Sequence, residues 1–359
     1  MPVVRRTHRP TGGAAVEPAT PVRTRVRLVD VAELAGVTKS VASRVLNGDT
    51  TINVRPSTKQ RILDAARTLN YAPHAGAKAL AGARTKALAL LIPDLMNAVY
   101  ARIARGAYQR AREHGYVVLL AEDTVDSNAQ SDYTDLVGAG RVEGLLIASA
   151  RQGHPLLDSG QLNTIPHVFV NRSVPGSGRS LTVDLQGASQ IAFDYLRGLG
   201  HERMAHISGP GVLMPAQERE KGFVAAASAA GYPAPFVVRE IFDEAGGFRA
   251  AQQIIGARPD VTAVYAGTFS QSVGALKALR RSGVDVPGDV SVLSYDDLPL
   301  AEYLDPSLTT MSLPLLELGQ LAVDALVAQL QGTPPRDIVL PERPIILERE
   351  STAKAPGTA

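Results

Sequence analysis

Residues 29–49 read VDVAELAGVTKSVASRVLNGD, and this stretch decides the fold of the N-terminal part of the chain. Apolar residues recur there at the spacing of one helix face: Leu28, Val31, Ala32 and Ala35. Gly36 is expected to end that helix, because glycine adopts the left-handed backbone conformation at the lowest cost. Thr38 predicts the start of a second helix, since its hydroxyl can accept a hydrogen bond from an amide of the first turn. Two helices joined by this turn predict a helix-turn-helix.

The second helix separates an apolar face from a polar one. Val41, Val45 and Leu46 form the inner stripe, and Asn47-Gly48 ends the helix. The outward side chains are Lys39, Ser40, Ser43 and Arg44. Short hydroxyls and long cations suit the base edges and phosphates of a DNA major groove, so this face predicts DNA binding. The pattern alone leaves open an αα-hairpin that binds no nucleic acid.

A third helix is predicted to follow at Pro56, a residue that suits the first turn of a helix. Ser57 and Gln60 have the spacing of a capping box. Its apolar face is formed by Ile62, Ala65, Ala66 and Leu69. The segment NYAPHAGAKALAG, residues 70–82, comes directly after it.

The charge of the chain is distributed unevenly. Residues 1–86 contain 15 Lys and Arg against 5 Asp and Glu, whereas the remainder contains 22 against 30. A basic head on an acidic body indicates a module that binds a polyanion, attached to a body with another task. Residues 1–25 lack an apolar period, and we expect them to form a disordered basic tail.

Composition argues against several classes of protein. The 359 residues include no cysteine, which excludes a disulfide framework and a thiolate metal site and fits a reducing cytoplasm. No run of 18 apolar residues is present, so we expect no membrane span. The basic N-terminus is not followed by the apolar segment of a secretory signal. We therefore expect a cytoplasmic protein.

From residue 85 onward, short apolar segments alternate with amphipathic ones. KALALLIPD, YVVLLAED, VEGLLIAS and PHVFVNR form one series, and ERMAHISGP, TAVYAGT and DVSVLSYDD form a second. Helices are predicted to run to His114 and to Gly138 after the first two segments. Strands that alternate with helices predict βαβ units and parallel sheets. Two such series predict two similarly built α/β lobes.

Polar and aromatic residues follow the predicted strands. They are Asn97 to Tyr100, Asn171-Arg172, Met214 to Arg219, Phe242, Thr268-Phe269 and Asp296-Asp297. Ligands of open parallel sheets bind beyond the carboxyl ends of the strands. Carboxylates and guanidinium groups hydrogen-bond to hydroxyls and an aromatic ring contacts the apolar face of a sugar, so these residues predict a site for a polyhydroxylated ring. The alternatives are that Arg219 lies on the surface, that Asp296 caps a turn and that Phe242 belongs to the core.

The segments VDVAELAGV, SRVLNG, ILDAARTLNYAP and ALAG together resemble the headpiece and hinge of the lac repressor/galactose repressor family. The resemblance implies an all-α helix-turn-helix headpiece joined to an α/β two-lobed domain like the periplasmic binding proteins, with parallel sheets flanked by helices. The implied division is a headpiece at 26–72, a hinge helix at 73–84 and a body at 85–354. The N-lobe would comprise about 85–183 and 313–340, and the C-lobe about 184–312 and 341–354. The chain would cross between the lobes near Asp184, Thr310 and Pro341.

The same resemblance implies a bacterial, nucleoid-associated transcriptional regulator, expected to be a repressor, that binds a pseudo-palindromic double-stranded DNA operator as a homodimer. No leucine heptads follow Glu350, so we expect a dimer rather than a tetramer. In this family a leucine of each hinge helix wedges into the minor groove, and by position that leucine is Leu80. The implied DNA-binding residues are Leu28, Val29, Thr38, Lys39, Ser40, Val41, Ser43, Arg44, Asn47, Thr58, His74, Ala77, Lys78 and Leu80.

A small-molecule effector, expected to be a sugar or a sugar derivative, is also implied. The effector-binding residues that match the family are Tyr100, Asn171, Arg219, Phe242, Thr268 and Asp296. Thr268-Phe269 stands where the family often has Asn-Asp, and Leu313-Pro314 replaces polar residues. We therefore expect a site more apolar than a typical sugar site.

Two other functions compete with this one. A solute-binding protein with an accessory basic head would bind its ligand tightly and DNA without regard to sequence. An enzyme on a doubly wound fold lacks support, because GAGRVEG (138–144) precedes a strand instead of following one and no phosphate loop or nucleophile elbow is present. His201 and His206 lack metal-ligand spacing, and His201 is expected on the surface at a helix end. We expect no catalysis, no cofactor and no metal ion.

Overall fold

The computed structural model describes residues 26–47, 49, 51–71, 85–123, 140–150, 154–158 and 160–357. The chain divides between residues 83 and 84 into two compact units, a head and a body. The predicted tail, hinge helix and helix ending at Gly138 lie outside the described residues, so those predictions stay predictions. No helix in the described ranges is long and apolar enough to cross a membrane.

The head contains three helices, namely α1 (Leu28–Leu34), α2 (Lys39–Leu46) and α3 (Pro56–Thr68). Between α1 and α2, Gly36 has a φ of +64°, which is the left-handed conformation predicted for it. Thr38 is the N-cap of α2, and its Oγ1 accepts a hydrogen bond from the Val41 amide at 3.4 Å. The three helices share one small core that includes Val31, Ala32, Ala42, Val45 and Ile62. The predicted helix-turn-helix is confirmed.

The capping box predicted for the third helix is wrong. α3 begins at Pro56 with Arg55 as its N-cap, and no side chain caps it. Proline needs no amide partner at this position, so the helix begins one residue before Ser57 and places that serine inside the first turn. The Gln60 amide instead donates to Asp64 Oδ1 at 3.0 Å.

The body contains two six-stranded sheets. In the first sheet the strand order is β11-β5-β4-β3-β1-β2, and every pair is parallel. In the second sheet the order is β12-β10-β9-β8-β6-β7, and β12 alone among the described strands runs antiparallel to its neighbour. The first-sheet strands are β1 (Ala87–Ile92), β2 (Val117–Glu122), β3 (Gly144–Ile147), β4 (His167–Val170), β5 (Ser180–Thr182) and β11 (Ile338–Val339). The second-sheet strands are β6 (Met204–Ser208), β7 (Phe236–Arg239), β8 (Ala263–Ala266), β9 (Ser291–Tyr295), β10 (Thr309–Ser312) and β12 (Ile345–Leu347).

Helices cover both sheets, which confirms the predicted fold class. In chain order the α-helices are α4 (Ala98–Glu113), α5 (Pro155–Asp158), α6 (Leu185–Gly198), α7 (Met214–Ala229), α8 (Glu244–Ala257), α9 (Phe269–Arg281) and α10 (Leu315–Leu330), with 3₁₀ turns at Gln161–Asn163 and Pro299–Tyr303. Strands covered on both faces are apolar throughout, and all six residues of β1 are buried. We call each sheet with its helices a lobe. The chain passes between the lobes after Thr182, after Ser312 and between Val339 and Ile345.

Two glycines allow α4 and α10 to cross in close contact over the first sheet. A Cβ atom on Gly106 would lie 2.0 Å from the carbonyl oxygen of Leu316, and one on Gly319 would lie 2.1 Å from that of Ile103. Each helix therefore fits its backbone against the other where any side chain would collide. This crossing fixes the orientation of α4, which the site described below depends on.

Gly319→Ala is expected to destabilise the protein, because the added methyl group meets backbone that cannot move without shifting a whole helix. We expect a loss of about 1–3 kcal/mol in the free energy of unfolding, measured by urea denaturation. Gly198→Ala is the matched control, since the last residue of α6 has open space around its would-be Cβ. That variant should be unchanged or more stable by up to about 1 kcal/mol. Equal stabilities of the two variants would contradict the packing argument.

Candidate functional site

The head presents a polar surface on α2. Lys39, Ser40, Arg44 and Asn47 are exposed, and Ser43 is half-buried and accepts a hydrogen bond from the Asn47 amide at 3.4 Å. The other described residues predicted to bind DNA are Thr38 and Val29, which are exposed, and Leu28, Val41 and Thr58, which are half-buried. His74, Ala77, Lys78 and Leu80 lie outside the described residues, so their predicted role stays a prediction.

Arg44 is held by two residues that sequence reasoning missed. Its Nε donates to Asp49 Oδ2 at 2.7 Å, and its Nη2 donates to Thr51 Oγ1 at 3.0 Å. Asp49 Oδ1 accepts from the Thr51 hydroxyl at 2.6 Å and from the Thr51 amide at 2.8 Å. These bonds, chiefly those from Thr51 and then that from Arg44, lower the pKa of Asp49 to about 2. The carboxylate is therefore ionised at neutral pH.

The body encloses a cavity of about 1220 Å³ lined by both lobes. The structure brings together around it all the residues predicted for the effector: Tyr100, Asn171, Arg219, Phe242, Thr268 and Asp296. They meet because parallel strands place their carboxyl ends at the same edge of a sheet. Asn171 directly follows β4, and Asp296 directly follows β9. That these residues bind a ligand stays a prediction.

Arg219 is buried in the wall of the cavity, with 7% of its surface exposed. Its guanidinium carbon lies 4.5 Å from the centroid of the Tyr295 ring and 5.2 Å from that of Phe242, which makes it the centre of a cation–π stack. Among the described residues no carboxylate lies within ion-pair distance of it. The alternative of a surface arginine is wrong, because α7 turns this position toward the cavity.

Phe242 is half-buried beside Arg219, so it is not a core residue. A Cβ atom on Gly209 would lie 2.1 Å from Cζ of Phe242. The absence of a side chain at Gly209, directly after β6, therefore leaves the space in which the Phe242 ring lies.

Asp296 is the second charged group in the wall, with 6% of its surface exposed. Its backbone has a φ of +73°, and its Oδ1 is buried without a hydrogen-bond partner in the described part of the chain. Burial raises the pKa of Asp296 to about 6, an effect that the nearby cations Arg219 and Arg102 offset in part. A buried acceptor without a partner is the group that a ligand hydroxyl would satisfy.

The neighbouring Asp297 has a structural role, because its carboxylate binds other side chains of the protein. Its Oδ1 accepts hydrogen bonds from Thr310 Oγ1 at 2.7 Å and from Arg349 Nη2 at 3.0 Å. Its Oδ2 lies 3.6 Å from Nη2 of Arg102, a residue of α4 in the other lobe. The two adjacent aspartates therefore have different roles, because Asp296 faces the cavity and Asp297 links the lobes.

Arg172 orders the first-lobe side of the cavity. Its Nη2 donates to the Tyr100 hydroxyl at 2.6 Å, and its Nη1 donates to the Asn171 carbonyl at 2.9 Å. Asn171 adopts a φ of +56°, a conformation that asparagine tolerates better than most residues. Arg172 was noted at a strand end but was not predicted to bind the effector.

Thr268 also caps a helix, a role that we did not predict from the sequence. It is the N-cap of α9, where its Oγ1 accepts a hydrogen bond from the Gln271 amide at 3.2 Å. Its hydroxyl hydrogen stays available to a ligand, so Thr268 can act as a donor while it caps the helix.

The rest of the wall mixes polar and apolar groups. Sequence reasoning missed Gln186 of α6, whose amide donates to Glu218 of α7. The apolar lining includes Val99, Leu157, Val174, Leu213, Leu313 and Val339. These side chains suit the apolar parts of a ligand.

The two histidines of the second lobe are structural. His206 is fully buried, its Nδ1 lies 2.9 Å from the Tyr265 carbonyl, and burial lowers its pKa to about 4. His201 is also buried, with Thr262, Ser291 and the Ala353 carbonyl as partners, so its predicted surface position is wrong. Within the described ranges no cluster of three metal-ligating side chains occurs.

Comparison with known proteins agrees with this architecture. The family model "Bacterial regulatory proteins, lacI family" matches residues 27–74, and that of a periplasmic binding protein-like domain matches residues 193–352. The HTH-type transcriptional regulator MalR of Streptomyces coelicolor is 32% identical over 344 residues, which cover 92% of this chain and 98% of that protein. These matches define a transcriptional regulator with a helix-turn-helix head and a periplasmic-binding-protein-like body.

Two solved structures are similar along almost the whole chain. A complex of the transcriptional regulator CelR with cellobiose has a TM-score of 0.70 at 29% identity and covers 91% of this chain and 100% of that one. The lac repressor dimer bound to operator and the anti-inducer ONPF has a TM-score of 0.82 at 25% identity and covers 92% and 100%. The chain belongs to the lacI family of bacterial regulatory proteins.

Asp296→Asn is expected to stabilise the protein at neutral pH. The folded-state pKa of about 6 lies above the ordinary value of 3.8, so the folded chain holds this proton more tightly than the unfolded chain does. The wild type has this contribution in full below about pH 4 and loses it as the pH rises through about 6. At pH 7.5 the variant should exceed the wild type in unfolding free energy by on the order of 1–3 kcal/mol, with the difference vanishing near pH 4.

Urea denaturation at both pH values measures this difference. The control is Asp297→Asn, which removes hydrogen bonds to Arg349 and Thr310 and should lower stability at pH 7.5. The prediction is wrong if the stability difference between Asp296→Asn and wild type is the same at both pH values.

Proposed function

We propose that the protein is a sequence-specific DNA-binding repressor of transcription whose operator affinity is controlled by a sugar or a sugar derivative bound between the two lobes. One observation carries the proposal. A chain whose head exposes a cationic helix-turn-helix also has a cavity whose wall holds a buried guanidinium without an ion-pair partner and a buried carboxylate oxygen without a hydrogen-bond partner among the described residues. The first feature suits a polyanion and the second suits a small polar ligand.

Binding of DNA is proposed for the exposed face of α2. Thr38, Lys39, Ser40, Arg44 and Asn47 place hydroxyls, an amide and two cations on one short helix, and such groups contact phosphates and base edges in a major groove. The further DNA-binding residues proposed are Leu28, Val29, Val41, Ser43 and Thr58 in the head and His74, Ala77, Lys78 and Leu80 in the proposed hinge, residues 73–84.

A sugar fits the chemistry of the cavity. Vicinal hydroxyls can accept from Arg219 and donate to Asp296, and a ring can lie against Phe242 or Tyr100. The structurally similar CelR is described with cellobiose, which supports the same class of ligand here. The apolar lining predicts that the ligand also carries an apolar part, such as an aglycone or the flat face of a second ring.

The coupling is proposed to act through the arrangement of the lobes. Tyr100 and Asn171 belong to the first lobe, whereas Arg219 and Asp296 belong to the second. A ligand that contacts both groups stabilises one arrangement of the lobes. Operator affinity rises if the DNA-bound head favours that arrangement and falls if it favours the other. The free energy by which the ligand changes operator affinity equals the one by which the operator changes ligand affinity.

A homodimer is proposed from an exposed apolar patch on the first lobe. Leu120 of β2 is 47% exposed and Tyr108 of α4 is 55% exposed. Among the described strands β2 forms an edge of the first sheet. An exposed apolar edge strand is a surface on which another chain can pack. The similar lac repressor is described as a dimer on its operator, and a dimer would present two heads to a pseudo-palindromic site.

Leu120→Glu is expected to shift the full-length protein from dimer toward monomer, because it introduces a charge into the proposed contact. Sedimentation velocity over a concentration series measures the change. Ile345→Glu is the control, since Ile345 is 59% exposed on a strand of the second sheet. A wild-type protein that sediments as a monomer, or a Leu120→Glu variant as dimeric as the control, would refute the proposed surface.

The function is tested with purified full-length protein and a randomised duplex library. The wild type should enrich one pseudo-palindromic sequence, and its affinity for that sequence should fall steeply with salt as phosphate contacts release counterions. A panel of sugars, polyols and glycosides is then screened for a change in that affinity. Arg219→Ala should keep the enriched sequence but lose the response to the active compound by at least about tenfold in its effective concentration, since Arg219 carries a buried charge-assisted contact.

Arg258→Ala is the matched control for the effector response, because Arg258 lies outside the cavity lining at the end of α8, with 40% of its side chain exposed, and pairs with Asp260. It should respond like the wild type. DNA binding without any sequence preference would instead favour the solute-binding protein with an accessory basic head.

A further inference from the structure

The loop after α2 carries a hydrogen-bonded ring that closes on Arg44. Asp49 accepts from Arg44 Nε and from the Thr51 hydroxyl and amide, and the Thr51 oxygen accepts from Arg44 Nη2. Every member lies at the protein surface, with half of the Arg44 side chain exposed. A lone surface ion pair contributes little stability, so the ring is poorly explained as a device that holds the fold together.

The hydrogen-bonded ring determines which N–H donors of Arg44 remain available to bind DNA. The guanidinium has five N–H groups in one plane, and Asp49 and Thr51 occupy the one on Nε and one on Nη2. The groups left on Nη1 and Nη2 have no hydrogen-bond partner among the described residues. They form the end-on fork that matches O6 and N7 of guanine in the major groove.

We propose that Asp49 and Thr51 are positioning residues that hold the Arg44 guanidinium so that its end-on fork reads a guanine in each operator half-site. The inference rests on the proposed function and deepens it, since it names the base that one residue recognises and the residues that make the recognition selective. An arginine without the ring samples many rotamers and can bind a phosphate as readily as a base. An arginine held in one plane loses less entropy when it binds the base.

Because Asp49 is negatively charged, its removal should affect sequence discrimination and general DNA affinity differently. A carboxylate next to DNA repels the phosphates, so it lowers affinity for any duplex regardless of sequence. With Asp49 ionised, the pair with Arg44 is neutral and adds little to general attraction. Loss of the carboxylate should therefore separate the two components of binding, because discrimination between sequences falls while affinity for unrelated DNA rises or stays constant.

The test uses the full-length wild type and the variants Asp49→Asn, Thr51→Val and Arg44→Ala. The probes are the sequence that the wild type selects from a randomised library, the same duplex with each G·C pair changed singly, and an unrelated duplex. In Asp49→Asn the preference for one symmetric G·C pair should fall by on the order of 5- to 100-fold, while affinity for the unrelated duplex stays equal or rises. Thr51→Val should shift the same preference in the same direction, and Arg44→Ala should abolish it.

Glu33→Gln is the matched control, because Glu33 is an exposed acid of the head that makes no bond to Arg44. It removes the same charge and should leave the base preference unchanged. Thermal unfolding followed by circular dichroism verifies that each variant is folded. An unchanged G·C preference in Asp49→Asn, or an equal loss for selected and unrelated DNA in the folded variant, overturns the positioning role. A wild type without any sequence preference overturns the proposed function itself.

Discussion

Three passages of the chain between two largely parallel sheets constrain the whole body. Each sheet presents the carboxyl ends of its strands to one shared cavity, so Tyr100 and Asn171 from one lobe face a space that Arg219 and Asp296 also line from the other. Neither lobe has a complete site by itself. A ligand can therefore contact both sides of the cavity only in a particular arrangement of the lobes, and the proposed coupling to the head depends on that requirement.

Burial of the charged groups of the cavity destabilises the folded state. Asp296 is buried with an unpartnered oxygen, and its pKa rises to about 6 although Arg219 and Arg102 lie nearby. The rings of Tyr295 and Phe242 stabilise the guanidinium of Arg219, which has no ion-pair partner among the described residues. By contrast, Asp297 has three partners. Two adjacent carboxylates of the same chain thus differ in whether the protein itself satisfies their hydrogen bonds, and that difference supports the proposal that Asp296 binds a ligand.

Much of the fold could be predicted because it depends on local chemistry. The left-handed Gly36 and the capping Thr38 set the helix-turn-helix, and alternating apolar segments set the sheets. Placing the cavity residues at strand ends also succeeded, since parallel sheets impose it. One error was local, because α3 begins at Pro56 and so places Ser57 inside the first turn instead of at the N-cap. The other failures concern contacts between segments. His201 is buried by partners far along the chain, and the ring that Asp49 closes on Arg44 depends on a loop conformation that residue spacing does not specify.

The helix α4 joins several of these features in a single rigid rod. Tyr100 near its start lines the cavity, Arg102 two residues later contacts the opposite lobe, Gly106 packs the helix against α10, and Tyr108 is exposed about 12 Å from Tyr100 along the axis. A helix clamped at its middle cannot absorb a tilt by bending. If this helix tilts as a rigid body about the contact at Gly106, its two ends move in opposite directions, so a displacement at the cavity end is accompanied by one at the other end.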